Sequence, residues 1–215
     1  MLSARLAAIA AYIPVCARLC DVGSDHAYLP IQLIKTGAVA SAIASDISVP
    51  CIARARDNAA RYGVEDILDV RLSDGLREIS PDECDTVTIS GMGAETIAAI
   101  LDASPWVLEG RHLLILQPAS KAPYLRRYLH ERGFAIADET VVRDAGRLYP
   151  VIRAVKSAES TPWREVYAYA SPALLKGIAN PEIAAYIART ADLLSRERGC
   201  DMGIVEELIT ASKGK

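Results

Sequence analysis

The sequence predicts an α/β domain built on a mostly parallel sheet with helices on both faces, followed by a small helical appendage. Three observations carry the prediction. Short apolar runs alternate with amphipathic stretches through the first 155 residues, the rhythm of repeated β-then-α units. Several of the apolar runs end in an acidic residue or a glycine. After Lys156 the strand-like runs stop, and only helical stripes remain.

Taken in order, residues 2–12 read as an amphipathic helix, with Ser3 as N-cap and Leu6, Ile9 and Ile13 at helical spacing. Residues 18–22 form a buried strand, residues 23–28 a loop and residues 29–36 a helix stopped by Gly37. A second strand at 40–45 has Asp46 at its tip, and a helix at 50–62 is closed by Gly63. Strands follow at 68–72, 85–90 and 112–116, with helices at 95–101 and 122–132. Two last strands, 134–142 and 148–155, flank Gly146 as a hairpin, which makes that edge antiparallel. Residues 157–162 read as a linker and 172–177 as a short helical piece. A stripe of Ile183, Ile187, Ala191 and Leu194, then a weaker one over 204–209, forms an αα-hairpin. The expected division is residues 1–156 for the sheet domain and 157–215 for the helical one. The latter is too short to hold a core alone and should pack on its neighbour.

The composition, 51% apolar and 24% charged over 215 residues, excludes intrinsic disorder. Five cysteines, an odd number in a chain with ample core, argue against a disulfide scaffold and for reduced thiols in the cytoplasm. Cys16 and Cys20 have no further close pair, and the histidines no partner set, so no metal is assigned. The uncharged stretch 6–17 contains Pro14 and is too short to span a bilayer. Residues 1–110 carry net −7 and residues 111–215 net +4, so a polyanion would meet the second half more readily.

In doubly wound sheets ligands bind outside the carboxyl ends of the strands, at the switch point of strand order. Asp21, Gly23, Asp46, Asp74 and Gly91 fall at those ends. The loop Asp21-Val-Gly-Ser-Asp-His-Ala-Tyr-Leu-Pro opens a helix, and Gly23 allows close approach of a ligand. It lacks the three glycines of a dinucleotide loop, and Ser24, Asp25 and His26 fill it with polar groups. Asp25 would repel a pyrophosphate. The loop therefore suits a cofactor with a charged amine and no phosphate, which points to S-adenosyl-L-methionine. The Asp46 carboxylate matches the two hydroxyls of a ribose, with Ile47 beside it. In Ser73-Asp-Gly-Leu, Asp74 and Gly75 would meet the adenine amine, and Leu76 would cover a face of the ring. The run Ser90-Gly-Met-Gly follows the fourth strand. There Gly91 and Gly93 leave room for an incoming base, and Met92 packs against it.

The strings Asp21-Val-Gly-Ser-Asp-His-Ala-Tyr-Leu-Pro, Ser73-Asp-Gly-Leu, Thr86-Val-Thr-Ile-Ser-Gly-Met-Gly and Leu114-Ile-Leu-Gln-Pro resemble the bacterial tRNA (adenine-22-N1)-methyltransferases, the TrmK family. The resemblance covers residues 2–156 closely. It implies a Rossmann-like class I S-adenosylmethionine-dependent methyltransferase domain followed by a small α-helical coiled-coil domain, and methyl transfer to N1 of an adenine in tRNA. Two positions depart from the family pattern: Asp46 stands where a glutamate is usual, and Ala94 replaces the last glycine of Gly-Met-Gly-Gly.

Asp25 and His26 are the expected catalytic pair, near the base that becomes cationic. Asp25 could instead touch the cofactor amine, and His26 could simply cap the helix. Tyr28 either stacks on the base or packs. Asn58 reads as a polar helix-face residue. Gln117 could meet a base edge or be a loop glutamine. Arg126, Arg127, Arg132, Arg143 and Arg147 could grip phosphates or lie on solvated faces. A monomer acting on tRNA is expected. The competing readings are a non-catalytic module that binds the cofactor or RNA, and a methyltransferase for another RNA or a small molecule.

Overall fold

The computed structural model describes residues 2–157 and 162–214. The expected linker at 157–162 thus lies mostly outside the described residues. Seven strands form one sheet: β1 (Ala17–Val22), β2 (Val39–Asp46), β3 (Leu68–Leu72), β4 (Thr86–Gly93), β5 (Leu113–Ser120), β6 (Phe134–Asp144) and β7 (Arg147–Lys156). Their order is β3-β2-β1-β4-β5-β7-β6. β3, β2, β1, β4 and β5 run parallel, whereas β7 is antiparallel to both β5 and β6. The strand order reverses at β1, between β2 and β4, so the switch point lies beside the end of β1.

Alternation along the strands divides two cores. Cys20, Ile43, Val87 and Leu114 face one side, under α4 (Ala94–Asp102) and α5 (Ala122–Glu131). Leu19, Ala42, Val70 and Ile115 face the other, under α1 (Ala4–Tyr12), α2 (Tyr28–Lys35) and α3 (Val49–Tyr62). Ser3 caps α1 as its sequence position suggests, its hydroxyl accepting from the Leu6 amide at 3.3 Å.

Two strands run further than the sequence pattern indicates. β4 continues through Gly91-Met92-Gly93, with register irregularities on both sides of Met92. β5 continues past Leu116 to Ser120, so Gln117 and Pro118 lie within a strand and not after one. Gly91, at φ +76°, takes up the irregularity without ending the strand.

The remaining helices are α6 (Val166–Tyr169), α7 (Pro172–Lys176), α8 (Pro181–Ser195) and α9 (Met202–Ser212). The stripe of Ile183, Ile187, Ala191 and Leu194 packs against Val205 and Leu208, and the same cluster takes in Val141 of β6. The helices thus bury their apolar faces on the antiparallel edge of the sheet.

Candidate active site

The site begins where β1 turns. Gly23 has φ +72°, and its amide and that of Ser24 both donate to the Ser45 carbonyl, at 2.8 and 3.0 Å. Asp21 is buried at the end of β1. Its carboxylate accepts from the hydroxyls of Ser24 and Thr88, each at 2.6 Å, which ties the loop to β4. Burial pushes the Asp21 carboxyl up from its usual range. The two hydroxyl bonds pull it back in part, and the charge of Asp46 pushes it up again.

Asp46 closes β2. Its two oxygens accept from the amides of Ser48, at 2.8 Å, and Asp25, at 3.2 Å. Each oxygen keeps a free lone pair, the acceptor set a vicinal diol needs. Ile47, next along the chain, is 68% exposed, an apolar face at the rim. Beyond β3, the Asp74 carboxylate stands more than half exposed, 3.4 Å from Arg77. Gly75 bends at φ +63°, and its carbonyl accepts from the Ser73 hydroxyl at 2.9 Å. Leu76 departs from expectation. It is only 1% exposed, packed in the core with Ile79 and Ile97, so it supports the loop from behind and presents no face to a ring.

Asp25 and Ala27 both adopt left-handed backbone, at φ +49° and +58°. Such conformations cost non-glycine residues roughly 1–2 kcal/mol each. The loop is held in place by the Asp25–Asp46 bond, by the Ala27 amide on the Ser24 carbonyl at 2.9 Å, and by the Asn58 amide on the His26 carbonyl at 2.9 Å. Asn58 is therefore more than a polar helix face. The Asp25 carboxylate meets Arg54 at 3.1 Å and His26 at 3.4 Å. Slight burial raises its pKa, but hydrogen bonds from Cys51 and Arg54 and the charges of His26 and Arg54 hold it below the ordinary aspartate range. The His26 and Tyr28 rings stack at 5.3 Å and 15°. Tyr28 remains 47% exposed.

Met92 lies across Gly23: a Cβ there would stand 2.1 Å from the Met92 methyl. Gln117 is fully buried. Its Oε1 accepts from the Gly91 amide at 3.1 Å and Arg5 Nη1 at 2.9 Å, and its Nε2 donates to the Pro118 carbonyl at 2.8 Å. With its amide so engaged, Gln117 braces Gly91 and is not turned toward a base edge. Arg5 gave no signal in the sequence. It comes from α1, and its guanidinium carbon lies 5.8 Å from the Tyr149 ring centroid.

The expected phosphate-binding arginines divide. Arg126 is wholly buried, with Nη2 2.7 Å from Glu139, so it cannot reach a phosphate. Arg127 pairs with Glu165, Arg132 with Asp102 at 2.8 Å, and Arg143 with Glu182 at 2.8 Å. Arg147 is exposed and has no carboxylate partner among the described residues. Among those residues, no group of three His, Cys, Asp or Glu side chains is placed to hold a metal, and no helix is long and apolar enough to cross a membrane.

The strand order, with acidic residues ending β1 and β2, another just beyond β3, and glycines at the switch point, is the architecture of a class I methyltransferase fold. The sequence profile of the family described as "Methyltransferase domain" matches residues 2–152. A Bacillus subtilis tRNA (adenine(22)-N(1))-methyltransferase is 39% identical over 151 residues, a match spanning 70% of this chain and 63% of that protein. A Streptococcus pneumoniae chain solved in complex with S-adenosyl-L-methionine superimposes with a TM-score of 0.86 at 32% identity, covering 100% of this chain and 99% of that one. The crystal structure of the B. subtilis m1A22 tRNA methyltransferase TrmK gives a TM-score of 0.77 at 29% identity, covering 100% and 98%. The chain belongs to the TrmK family of methyltransferases.

Proposed function

We propose that this chain transfers the methyl group of S-adenosyl-L-methionine to N1 of an adenine in tRNA, at position 22 as in its curated relative. The observation that carries the reading is the rim itself. Asp21, Asp46 and Asp74 stand at or just beyond the carboxyl ends of β1, β2 and β3 around the Gly23 turn, with Asp21 buried beneath it and Gly91 and Gly93 at the end of neighbouring β4.

The residues present fit that cofactor. Asp46 offers lone pairs to both ribose hydroxyls, and Ile47 offers an apolar face to the adenine. Asp74 can accept from the adenine amine across the Gly75 turn. The place left by the absent Cβ of Gly23, held by the Met92 methyl, receives the methionine end beside Ser24 once Met92 moves aside. Bound there, S-adenosyl-L-methionine supplies an electrophilic methyl group on a sulfonium. Adenine N1 carries its own lone pair, so no proton need leave before attack. The target base must instead leave its stack, at a cost of roughly a few kcal/mol. The His26–Tyr28 stack gives it an aromatic flank.

Methylation leaves the base cationic. Asp25, kept ionised by Arg54 and its neighbours, is suited to accept a hydrogen bond from the exocyclic amine and to stabilise that charge. Its depressed pKa makes it a better electrostatic partner than a base. His26 orients it from 3.4 Å. The helices beyond residue 157 extend the surface for tRNA, with Arg127 at their junction with α5. The reading includes a monomeric enzyme in the cytoplasm, where tRNA is. Label transfer from methyl-tritiated cofactor to a tRNA transcript tests the proposal. Incorporation should occur with adenine at position 22 and vanish when guanine replaces it. Equal labelling of both transcripts, or of neither, overturns it.

A further inference from the structure

A cleft of about 730 Å³ opens next to the proposed methyl-transfer rim, between the end of β5, the start of β7 and α8. That volume lies within the ~300–1,000 Å³ of pockets that hold small organic ligands. The cleft begins at Pro118, the residue after Gln117, so it continues the rim along β5. Its wall carries the tyrosines 124, 149, 169 and 186. Two of these are fixed from behind by buried Arg126, which donates to the Tyr186 hydroxyl at 3.3 Å and to the Tyr169 carbonyl at 3.2 Å.

Most arginines of the basic half are ion-paired: Arg111, Arg126, Arg127, Arg132, Arg143, Arg164 and Arg196 each meet a carboxylate, whereas outside the cleft Arg153 and Arg198 have no such partner among the described residues. The cleft arginines, Arg147 and Arg189, are exposed and have no carboxylate partner among the described residues. Lys121 adds a third cation, shared with Glu95, and Glu197 is the lone carboxylate of the wall. Unpaired arginines beside aromatic faces are the combination that holds an unstacked nucleotide, the rings taking the base and the guanidinium groups the phosphates.

We infer that this cleft seats a nucleotide of the RNA substrate next to the methylated one, with Arg147 and Arg189 on its phosphates and the tyrosine wall against its base. The inference rests on the tRNA reading above and adds a second point of grip. It also explains how the target base is kept out of its stack: a neighbour lodged in the cleft prevents the strand from closing back.

The test is steady-state methylation of a tRNA transcript by the full chain and by Arg147→Gln, Arg189→Gln and the double variant, with Arg196→Gln as a control outside the cleft. Cofactor affinity, read by calorimetry, should be unchanged in all four and verifies that each is folded. The double variant should raise KM for tRNA roughly tenfold or more while kcat changes little. The slope of log affinity against log salt should fall by about 1 per arginine removed. The control should behave as wild type. An unchanged KM and salt slope in the double variant, with wild type active, overturns the cleft assignment. An equal loss in Arg196→Gln overturns it as well, since the effect would then be general charge. Wild type that binds cofactor but never methylates tRNA defeats the underlying reading instead.

Discussion

Replacing Arg126 with methionine would unfold this protein more readily than any surface change, although the sequence places Arg126 among arginines that suit phosphate binding. The guanidinium is fully buried and makes six hydrogen bonds: three to the Glu139 carboxylate at 2.7–3.1 Å, and one each to the Ala168 carbonyl, the Tyr169 carbonyl and the Tyr186 hydroxyl. Burial opposes its charge, but Glu139 and Tyr186 hold it firmly protonated. Arg126→Met would leave the Glu139 carboxylate, itself buried, with only the Ser171 hydroxyl at 2.5 Å as side-chain donor. Breaking a buried ion pair from one side costs about 3–5 kcal/mol. For a chain of this size, each kcal/mol lowers Tm by about 2–4 °C, so a fall of about 6–20 °C is expected. The assay is thermal and urea unfolding followed by far-ultraviolet circular dichroism. The double variant Arg126→Met/Glu139→Leu should recover about 0.5–3 kcal/mol relative to the sum of the two single losses. A single-variant loss below about 1 kcal/mol, or strict additivity, would refute the reasoning.

Other expectations concern the rim. Asp46→Ala should weaken S-adenosyl-L-methionine binding about 10–100-fold, the loss of hydrogen bonds to a charged acceptor, as measured by calorimetry. Gly23→Ala should cost about 1–2 kcal/mol of stability through its left-handed backbone. It should also drive the Met92 methyl aside, so cofactor affinity should fall at least tenfold; wild-type binding would show that nothing approaches the chain there. Asp25→Asn should lower kcat for tRNA while leaving cofactor affinity close to wild type. Because the folded-state pKa of Asp25 is depressed, its stabilising contribution is present above the unfolded aspartate pKa and lost as pH falls through the folded value. Denaturant titrations of wild type and Asp25→Asn should therefore differ at neutral pH and converge in acid; a gap that persists in acid would assign the effect to packing.

Much of the fold is legible because strand alternation and helical stripes are local signals. Leu19 and Cys20, or Leu114 and Ile115, face opposite cores by the period of a strand alone. The rim is legible for a related reason: parallel β-then-α units put every strand's carboxyl end on one edge, so Asp21 and Asp46 must meet. What stays hidden depends on contacts distant in sequence. Arg5 reaches Gln117 across 112 residues, and nothing near either residue announces the other. Glu139 sits on a strand with exposed neighbours, so neither its burial nor its claim on Arg126 could be read from periodicity. Leu76 follows an aspartate and a glycine, like a surface turn residue, yet the chain folds it into the core beside Ile97. The run Ser90-Gly-Met-Gly looks like a turn because glycine usually marks one. Here it is a strand with irregular register that keeps its pairing to β5.

A crystal structure of the chain with S-adenosylhomocysteine tests the rim most directly. The ribose hydroxyls should lie on the Asp46 carboxylate, the adenine against Ile47 with its amine toward Asp74, and the amino-acid end over Gly23 with Met92 displaced. A nucleoside bound away from Asp46, or one whose ribose hydroxyls meet other side chains, would contradict it.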